Sequence, residues 1–333
     1  MIGHAPGAQP THAGQNGGDL LGRDAVVRLV RQQCGVDVRP DAVTDWLNAA
    51  IAGALSARAT EVVNEVGDRL ASLIATLRDP VSAEAAVGAR RTYLDVWRCL
   101  DLVMLGGGLM KGVVGGRVAA RAGAVLAAGG DDPPVLRVAP HPEWLALLGA
   151  ARSASGDNAR VVVLDGGQTS IKRGIAQFQA NQLAGLRVLE PLSVDSISES
   201  DLPAAVGLAL TGLTDRQTEA PAEVIFSVAS YVHGGRPVRN NASMYEQLEP
   251  DLLESSLGLP VRLIHDGSAA WRGIAGDARS AVIMLGTWLG VGIGPHQVRL
   301  CSYSEDFTIH DDGVKPMDAQ PFANSVPAVE TVP

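Results

Sequence analysis

The residues best suited to chemistry lie in segment 161–174, VVVLDGGQTSIKRG. Its aliphatic run predicts a buried strand, and Asp165 ends that strand directly before two glycines. Such glycines let a backbone turn tightly and present N–H groups to an anion. Asp165 would hold a metal ion, directly or through water, while Thr169 and Lys172 would supply a hydroxyl and a cation for the terminal phosphates of a nucleotide. The segment also fits an ordinary hairpin with an Asp-Gly turn, so by itself it leaves both interpretations open.

Two further glycine-rich segments each follow a hydrophobic strand. Segment 261–271, VRLIHDGSAAW, predicts a buried strand that ends at His265 and Asp266, just before a helix. Segment 280–294, SAVIMLGTWLGVGIG, predicts a strand, a tight turn and a second strand. Two hairpins of one type with an acid between them suggest duplicated halves that face a shared cleft.

These segments resemble the motifs of the ROK family of sugar kinases, in the actin, heat-shock protein and hexokinase superfamily. Residues 165–172, with Gly167 inside the turn, resemble its D-x-G-G-T-x-I-K phosphate motif. Residues 264–270, IHDGSAA, resemble its E-N-D-A-N-A-A motif, whose aspartate is the catalytic base. The resemblance gives that role to Asp266, although an aspartate before Gly-Ser-Ala-Ala also fits a helix N-cap.

A second phosphate motif of the family, G-T-G-x-G-x-G-I, is similar to residues 286–293, GTWLGVGI. The resemblance implies phosphate contacts from four residues there, Gly286, Thr287, Gly290 and Gly292. Trp288 departs from the motif because it occupies a glycine position, where a bulky side chain crowds phosphates or disfavours a left-handed backbone.

The remaining family signatures precede the first motif instead of following it. Residues 101–112, DLVMLGGGLMKG, resemble the strand and glycine turn that hold the adenosine. The glycines of that turn are Gly106, Gly107 and Gly108. Residues 133–154 resemble the last strand and closing helix of the family fold, and residues 2–18 resemble a G-E-I-G-H end and a zinc loop. Reading the chain as a circle restores the family order, so we infer a circular permutation, which exposed loops tolerate.

Helical and strand patterns alternate along the chain, which predicts an α/β fold with largely parallel strands. The resemblance implies two ribonuclease-H-like lobes of the actin-like ATPase type around a central cleft. The large, nucleotide-binding lobe would comprise residues 1–152 plus 280–310, and the small lobe residues 155–278. The pattern predicts one long helix over residues 40–76, and residues 314–333, rich in proline, predict a disordered tail.

Four residues are candidates for substrate contact under the resemblance, namely His265, Asn240, Asn241 and His4. His265 occupies the position of a sugar-binding asparagine, but it also fits a histidine packed at a strand end. The asparagine pair also fits a turn, and His4 also fits a mobile terminal residue. Other residues replace the cysteines of the zinc loop, so we predict no structural zinc.

Composition narrows the classes of partner. The 333-residue chain carries a net charge of −9, which argues against a nucleic-acid surface. Its three cysteines are far apart, which favours a reducing, cytoplasmic location. We find no pattern of a signal peptide or membrane helix, so no membrane partner is expected. The resemblance also implies that the protein forms a homodimer.

The function implied by the resemblance is ATP-dependent phosphorylation of a sugar, amino sugar or cyclitol hydroxyl. Asp266 would be the general base, and Asp165 would hold Mg²⁺. The alternative is a kinase-derived protein that has lost phosphoryl transfer and binds or otherwise transforms a sugar-like metabolite. Trp288, the missing zinc ligands and a methionine, Met1, at the family's glutamate position favour that alternative. A sugar-responsive repressor is disfavoured because no basic helix-turn-helix is present.

Overall fold

The structure is a computed structural model, and it describes residues 17–79, 84, 88–130, 132–154, 160–180, 182–194, 201–210, 221–238, 244–274, 279–294, 296–297, 310–311 and 328–331. The α-helices within these residues are α1 (Gly17–Leu21), α2 (Arg23–Cys34), α3 (Val43–Ala52), α4 (Ser56–Arg78), α5 (Gly88–Arg98), α6 (Gly112–Gly129), α7 (Leu145–Arg152), α8 (Leu202–Ala209), α9 (Pro250–Leu257) and α10 (Asp266–Gly273). The strands are β1 (Leu102–Gly106), β2 (Val135–Val138), β3 (Arg160–Gly166), β4 (Ser170–Gln179), β5 (Gln182–Ser193), β6 (Val224–Val228), β7 (Val232–His233), β8 (Arg236–Pro237), β9 (Val261–His265), β10 (Ser280–Leu285), β11 (Leu289–Ile293), β12 (His296–Gln297), β13 (His310–Asp311) and β14 (Ala328–Thr331). The fold is mixed α/β, with both parallel and antiparallel strand pairs.

The chain divides into two compact units that interleave in sequence. The first unit contains residues 1–143, 277–291 and 298–309. The second contains residues 144–276, 292–297 and 310–333. Within the described residues, no helix combines the length and the apolar character needed to cross a membrane.

The first unit joins α1 to α6 with strands β2, β1, β10 and the start of β11, which neighbour one another in that order. β1 pairs in parallel with both β2 and β10, and its side chains Val103 and Leu105 are fully buried. The prediction of one helix over residues 40–76 is wrong. Two helices form instead, because Gly53 ends α3 in an extended conformation, and glycine is a poor helix former.

The second unit is built on a sheet with the strand order β14-β5-β4-β3-β6-β9. β3, β4 and β5 form an antiparallel meander, and β6 and β9 are parallel to β3. Successive residues of β3 alternate between two cores: Val162 packs with α8 on one face, and Val161 and Val163 pack with α7 on the other. Burial on both faces explains why β3 reads as an unbroken aliphatic run.

Helix α7 packs in the second unit, although residues up to 152 were predicted to belong to the large lobe. α7 lies against α10 through glycines on both helices. A Cβ on Gly273 would lie 2.4 Å from the carbonyl oxygen of Leu145, and a Cβ on Gly149 would overlap the carbonyl of Ala269. This backbone-to-backbone contact requires glycine, and it fixes the helix that follows β9.

The prediction of a disordered tail over residues 314–333 is wrong at residues 328–331. Residues 328–331 form β14, which pairs in parallel with β5 from Gly185 to Val188. Backbone hydrogen bonds to an edge strand can order a segment that has no apolar periodicity of its own. Residues 314–327 and 332–333, the rest of this tail, lie outside the described residues.

Candidate active site

The two acids of the predicted site lie at one edge of the second unit's sheet. β3, β6 and β9 are parallel neighbours, and their register pairs Asp165 with Ser227 and Val228 with His265. Asp266 follows directly as the first residue of α10. Because the carboxyl ends of parallel strands meet at the same edge, residues about a hundred apart in sequence become neighbours about two strand spacings, roughly 10 Å, apart in the backbone.

Asp165 is a buried, paired carboxylate, with 6% of the residue exposed. Lys172, opposite it on β4, donates from Nζ to Oδ2 at 3.0 Å. The fully buried Ser227 donates from Oγ to Oδ1 at 3.4 Å. A buried charge is stable only when it is paired and hydrogen-bonded, and this one is both. Ser227 was not a predicted site residue, since only the register of β6 against β3 identifies it.

Close packing against Tyr245 determines the shape of the turn after Asp165. A Cβ on Gly166 would lie 2.6 Å from Cζ of Tyr245 and 2.9 Å from Cε2 of Phe226, so only glycine fits. The Tyr245 hydroxyl donates to the carbonyl of Gly167 at 2.6 Å. Burial and the charges of Asp165 and Asp266 raise the pKa of Tyr245, so the phenol stays protonated and donates. Tyr245 was not among the predicted site residues.

The N–H of Gly167, predicted to contact phosphate, is used by the hairpin itself. It donates to the carbonyl of Ser170 at 3.0 Å. The next two N–H groups, those of Gln168 and Thr169, have no acceptor in the described part of the chain. These two amides and the Thr169 hydroxyl are therefore the groups of this turn that remain for an anion.

Asp266 combines a perturbed carboxyl with access to solvent. Burial and, next, the negative charge of Asp165 raise the pKa of Asp266 to about 7, against opposing effects from the N–H of Gly267 and from Lys172. About a third of the side chain, 33%, is exposed. Its Oδ1 accepts from Gly267 N at 2.7 Å and lies 3.3 Å from His265 Nε2. Asp266 is not the N-cap of α10, because that position belongs to His265.

His265 is enclosed by the protein, with 7% of the residue exposed. Its Nδ1 accepts the backbone N–H of Ser268 at 3.2 Å, and its ring stacks on Tyr231 with centroids 5.1 Å apart. Burial and, next, the charge of Arg272 lower the pKa of His265 to about 3, so the ring is neutral. Nδ1 is used by the helix cap and Nε2 lies beside Asp266, and the substrate contact of His265 stays a prediction.

Gly292, a predicted phosphate contact, lies against the helix that carries Asp266. A Cβ on Gly292 would lie 1.9 Å from the carbonyl oxygen of Gly267 and 3.2 Å from Cβ of Trp271. The close approach of β11 to the first turn of α10 therefore explains this glycine by packing.

The predicted adenosine turn lies in the first unit, at the end of β1. Gly106 is the last residue of the strand and pairs with Met284 of β10. Gly107 has a φ of 90°, and a Cβ there would lie 2.2 Å from the carbonyl oxygen of Leu285, so the turn needs glycine. A Cβ on Gly108 would meet no atom within 4 Å, so a ligand has room to approach it.

The second predicted phosphate turn follows β10, the parallel neighbour of β1. Gly286 donates its N–H to the carbonyl of Trp288 at 3.1 Å and accepts from the N–H of Arg23 at 2.8 Å. Thr287 and Gly290 are partly exposed, and 52% of Trp288 is exposed. The Trp288 side chain therefore does not fill a buried cavity.

Other predicted residues cannot be placed. Asn240, Asn241 and His4 lie outside the described residues. The described ranges contain no group of three or more His, Cys, Asp or Glu residues arranged to hold a metal ion. A metal at Asp165 would therefore depend on oxygens that are not supplied by such a cluster.

No family model matches this chain, and no curated protein matches it. Among solved structures, a glucokinase from Parabacteroides distasonis ATCC 8503 is similar at 20% sequence identity with a TM-score of 0.24. The alignment covers 33% of this chain and 32% of that chain, so it spans about a third of the glucokinase. A likeness of this extent carries no argument about function.

Proposed function

We propose that this protein transfers a phosphoryl group from ATP to a hydroxyl of a sugar, amino sugar or cyclitol, with Asp266 as the general base. The observation that carries the proposal is the position of Asp266, a partly exposed carboxyl at the sheet edge that holds Asp165, where burial raises its pKa to about 7. A general base works best when its pKa is near the working pH, so this carboxylate suits proton removal from an alcohol near neutrality.

Each polar group of the site would have a separate role in phosphoryl transfer. Asp266 would accept the hydroxyl proton as the alcohol oxygen attacks the γ-phosphorus. Lys172 and the free N–H groups of Gln168 and Thr169 would bind phosphate oxygens. Asp165 supplies the carboxylate oxygens that Mg²⁺ prefers, so the donor type fits Mg·ATP. When bound, Mg²⁺ would neutralise charge on the transferred group.

The proposal includes a fold assignment. We assign the second unit to a ribonuclease-H-like lobe, because its three-stranded meander is followed by two parallel strands, β6 and β9, in the order expected for such a lobe. We also propose the actin-like pair of lobes and the circular permutation, on the order of the sequence motifs. The glycine turns after β1 and β10 would then serve the nucleotide.

The alternative function is a kinase-derived protein that binds a sugar-like metabolite without phosphoryl transfer. Two observations favour it. The N–H groups of Gly167 and Gly286 donate within their own turns, so neither is free for phosphate. In addition, Trp288 occupies a glycine position of the second turn. Under this alternative, the sheet edge that carries Asp165 and Asp266 would still bind the metabolite, while nucleotide binding is lost.

Nucleotide binding separates the two functions. Thermal unfolding of the wild type with and without millimolar Mg·ATP measures it, since a ligand that binds only the folded state raises the melting temperature. We expect protection of the wild type, loss of protection in Asp165→Ala, and retained protection in Asp24→Ala, which changes an exposed aspartate in the first turn of α2. No protection of the wild type favours the alternative.

Catalysis is tested by ADP formation across a panel of sugars, amino sugars and cyclitols. Asp266→Asn should reduce turnover by about 10²- to 10⁴-fold, the usual contribution of a general base. In the wild type, turnover should fall as the pH drops below about 7, because protonated Asp266 cannot accept a proton. Full turnover in Asp266→Asn would contradict the role of this carboxylate.

A further inference from the structure

We propose that His265 is a positioning residue: its neutral ring donates from Nε2 to Oδ1 of Asp266, and so reserves Oδ2 of that carboxylate for the proton of the substrate. The role of Asp266 as the base that accepts this proton rests on the proposed function. The hydrogen-bond arrangement itself does not, and it can be measured on the protein alone.

The first step is the proton position on the ring. The backbone N–H of Ser268 donates to Nδ1 at 3.2 Å, and a backbone amide can only donate. Nδ1 therefore carries no proton. The neutral imidazole must then carry its single proton on Nε2, so the helix N-cap fixes the tautomer.

The second step is the partner of that proton. Nε2 lies 3.3 Å from Oδ1 of Asp266, a carboxylate oxygen that accepts. Stacking on Tyr231, with ring planes 10° apart, holds the imidazole in this orientation. A ring fixed at one nitrogen by a backbone amide and on one face by a tyrosine has little freedom to turn away from Asp266.

The third step concerns which oxygen reacts. Oδ1 accepts the hydrogen bond from Gly267 N, and it is also the oxygen that lies 3.3 Å from His265 Nε2. Oδ2 is then the oxygen left for chemistry. The hydroxyl O–H bond would break, its proton would bond to Oδ2, and the alcohol oxygen would bond to the γ-phosphorus as the bond to the ADP oxygen breaks.

Charged neighbours do not replace this role. Asp165 and Lys172 act on Asp266 through their charges, and Arg272 acts on His265. None of the three holds Oδ1 within the described hydrogen bonds. His265 was read from the sequence as a sugar contact, but its contacts point to orientation of the acid beside it.

The primary experiment is ¹⁵N NMR of the imidazole rings in the wild-type protein, with His265 assigned by its absence in His265→Asn. We expect a protonated Nε2, a bare Nδ1 and no protonation from about pH 5 to about pH 8. A proton on Nδ1, or a ring that becomes charged in that range, would overturn the proposal. This measurement needs no phosphoryl transfer, so it decides the role of His265 even if the proposed function fails.

Variants provide the second experiment. In His265→Asn, the amide oxygen keeps the N-cap acceptor, but the shorter side chain withdraws the donor from Asp266. The pKa of Asp266, followed by ¹³C NMR of the carboxyl, should rise, because a donor that favours the charged form is lost. An unchanged pKa would refute the contact. The matched control is His233→Asn, at an exposed histidine of the β7–β8 hairpin, which should leave the pKa of Asp266 unchanged.

If the wild type forms ADP, kinetics add a third readout. His265→Asn should lower kcat by about 10- to 100-fold with little change in KM, the effect of losing one hydrogen bond to a charged group in the transition state. His265→Gln, whose longer amide can reach Asp266, should recover part of that loss. Equal kcat in the wild type and His265→Asn would refute the positioning role, and the His233→Asn control should match the wild type.

Discussion

Replacing Asp266 by asparagine should stabilise the protein while it removes activity. Asparagine keeps an Oδ1 acceptor for the N–H of Gly267 and for Nε2 of His265, so both contacts survive. Asparagine cannot ionise, so the variant avoids the free-energy cost of a charged carboxyl, which burial and Asp165 disfavour. A carboxyl whose ionisation costs stability at neutral pH is typical of a site that uses the group for chemistry.

The sign of the pH dependence follows from the two pKa values of Asp266. Below its ordinary value of 3.8, the carboxyl is protonated in both the folded and the unfolded chain and contributes nothing. Between 3.8 and about 7, the unfolded chain releases the proton while the folded chain keeps it, so the wild type loses stability as the pH rises. Above about 7 the loss is complete.

The expected gain in unfolding free energy has an upper limit, and solvent exposure of Asp266 lowers it. A pKa displacement from 3.8 to about 7 corresponds to at most about 4 kcal/mol of unfolding free energy. One third of the Asp266 side chain is exposed, and solvent weakens the effect, so we expect about 2 kcal/mol. For a unit of this size, that gain should raise the melting temperature by about 4 to 8 °C at neutral pH.

Urea unfolding of the wild type and of Asp266→Asn, at about pH 4.5 and at about pH 8, measures the difference. The variant should gain stability over the wild type mainly at the higher pH. Asp24→Asn, in the exposed first turn of α2, is the matched control and should show no such pH-dependent gain. If Asp266→Asn is no more stable than the wild type at the higher pH, or if its advantage is the same at both, the reasoning about this carboxyl is wrong.

Three further predictions concern the packing around the site. Gly166→Ala should destabilise the protein by about 1 to 3 kcal/mol in urea unfolding, because its Cβ would lie 2.6 Å from the Tyr245 ring; unchanged stability would show that the ring yields freely. Tyr245→Phe should cost about 1 kcal/mol and weaken protection by Mg·ATP, because the hydroxyl that donates to the hairpin carbonyl at 2.6 Å is lost; equal protection would separate the turn from nucleotide binding. Gly292→Ala should reduce both stability and turnover, because its Cβ would lie 1.9 Å from the Gly267 carbonyl oxygen, whereas Gly123→Ala, with nothing within 4 Å, should be neutral or stabilising by up to about 1 kcal/mol.

The sequence predicted the strands of the site well because burial on both faces leaves a mainly aliphatic run. β3 and β9 were expected at residues 161–165 and 261–265, and they form at Arg160–Gly166 and Val261–His265. Breaks were harder to predict. Apolar periodicity continues through Gly53 into α4, and β14 is ordered by pairing with β5, a contact that no local pattern encodes.

The residue types also identified the acids, since Asp165 lies near the end of β3, Asp266 follows β9 directly, and each precedes a glycine. Their partners depend on register and on packing. Ser227 meets Asp165 only because β6 pairs with β3, and Tyr245 reaches the hairpin from beyond β8. The role of a single residue likewise depends on the fold. The sequence shows a histidine beside an aspartate, but only the fold makes this histidine cap a helix, stay neutral and face Oδ1.

Local sequence therefore determined where strands end and which groups stand at those ends, because hydrophobic runs and glycines act over a few residues. The tertiary structure alone decided the protonation of those groups. The pKa of a carboxyl depends on the water removed from it and on charges that are distant in sequence, as Asp165 is from Asp266, and neither is defined until the strands have paired.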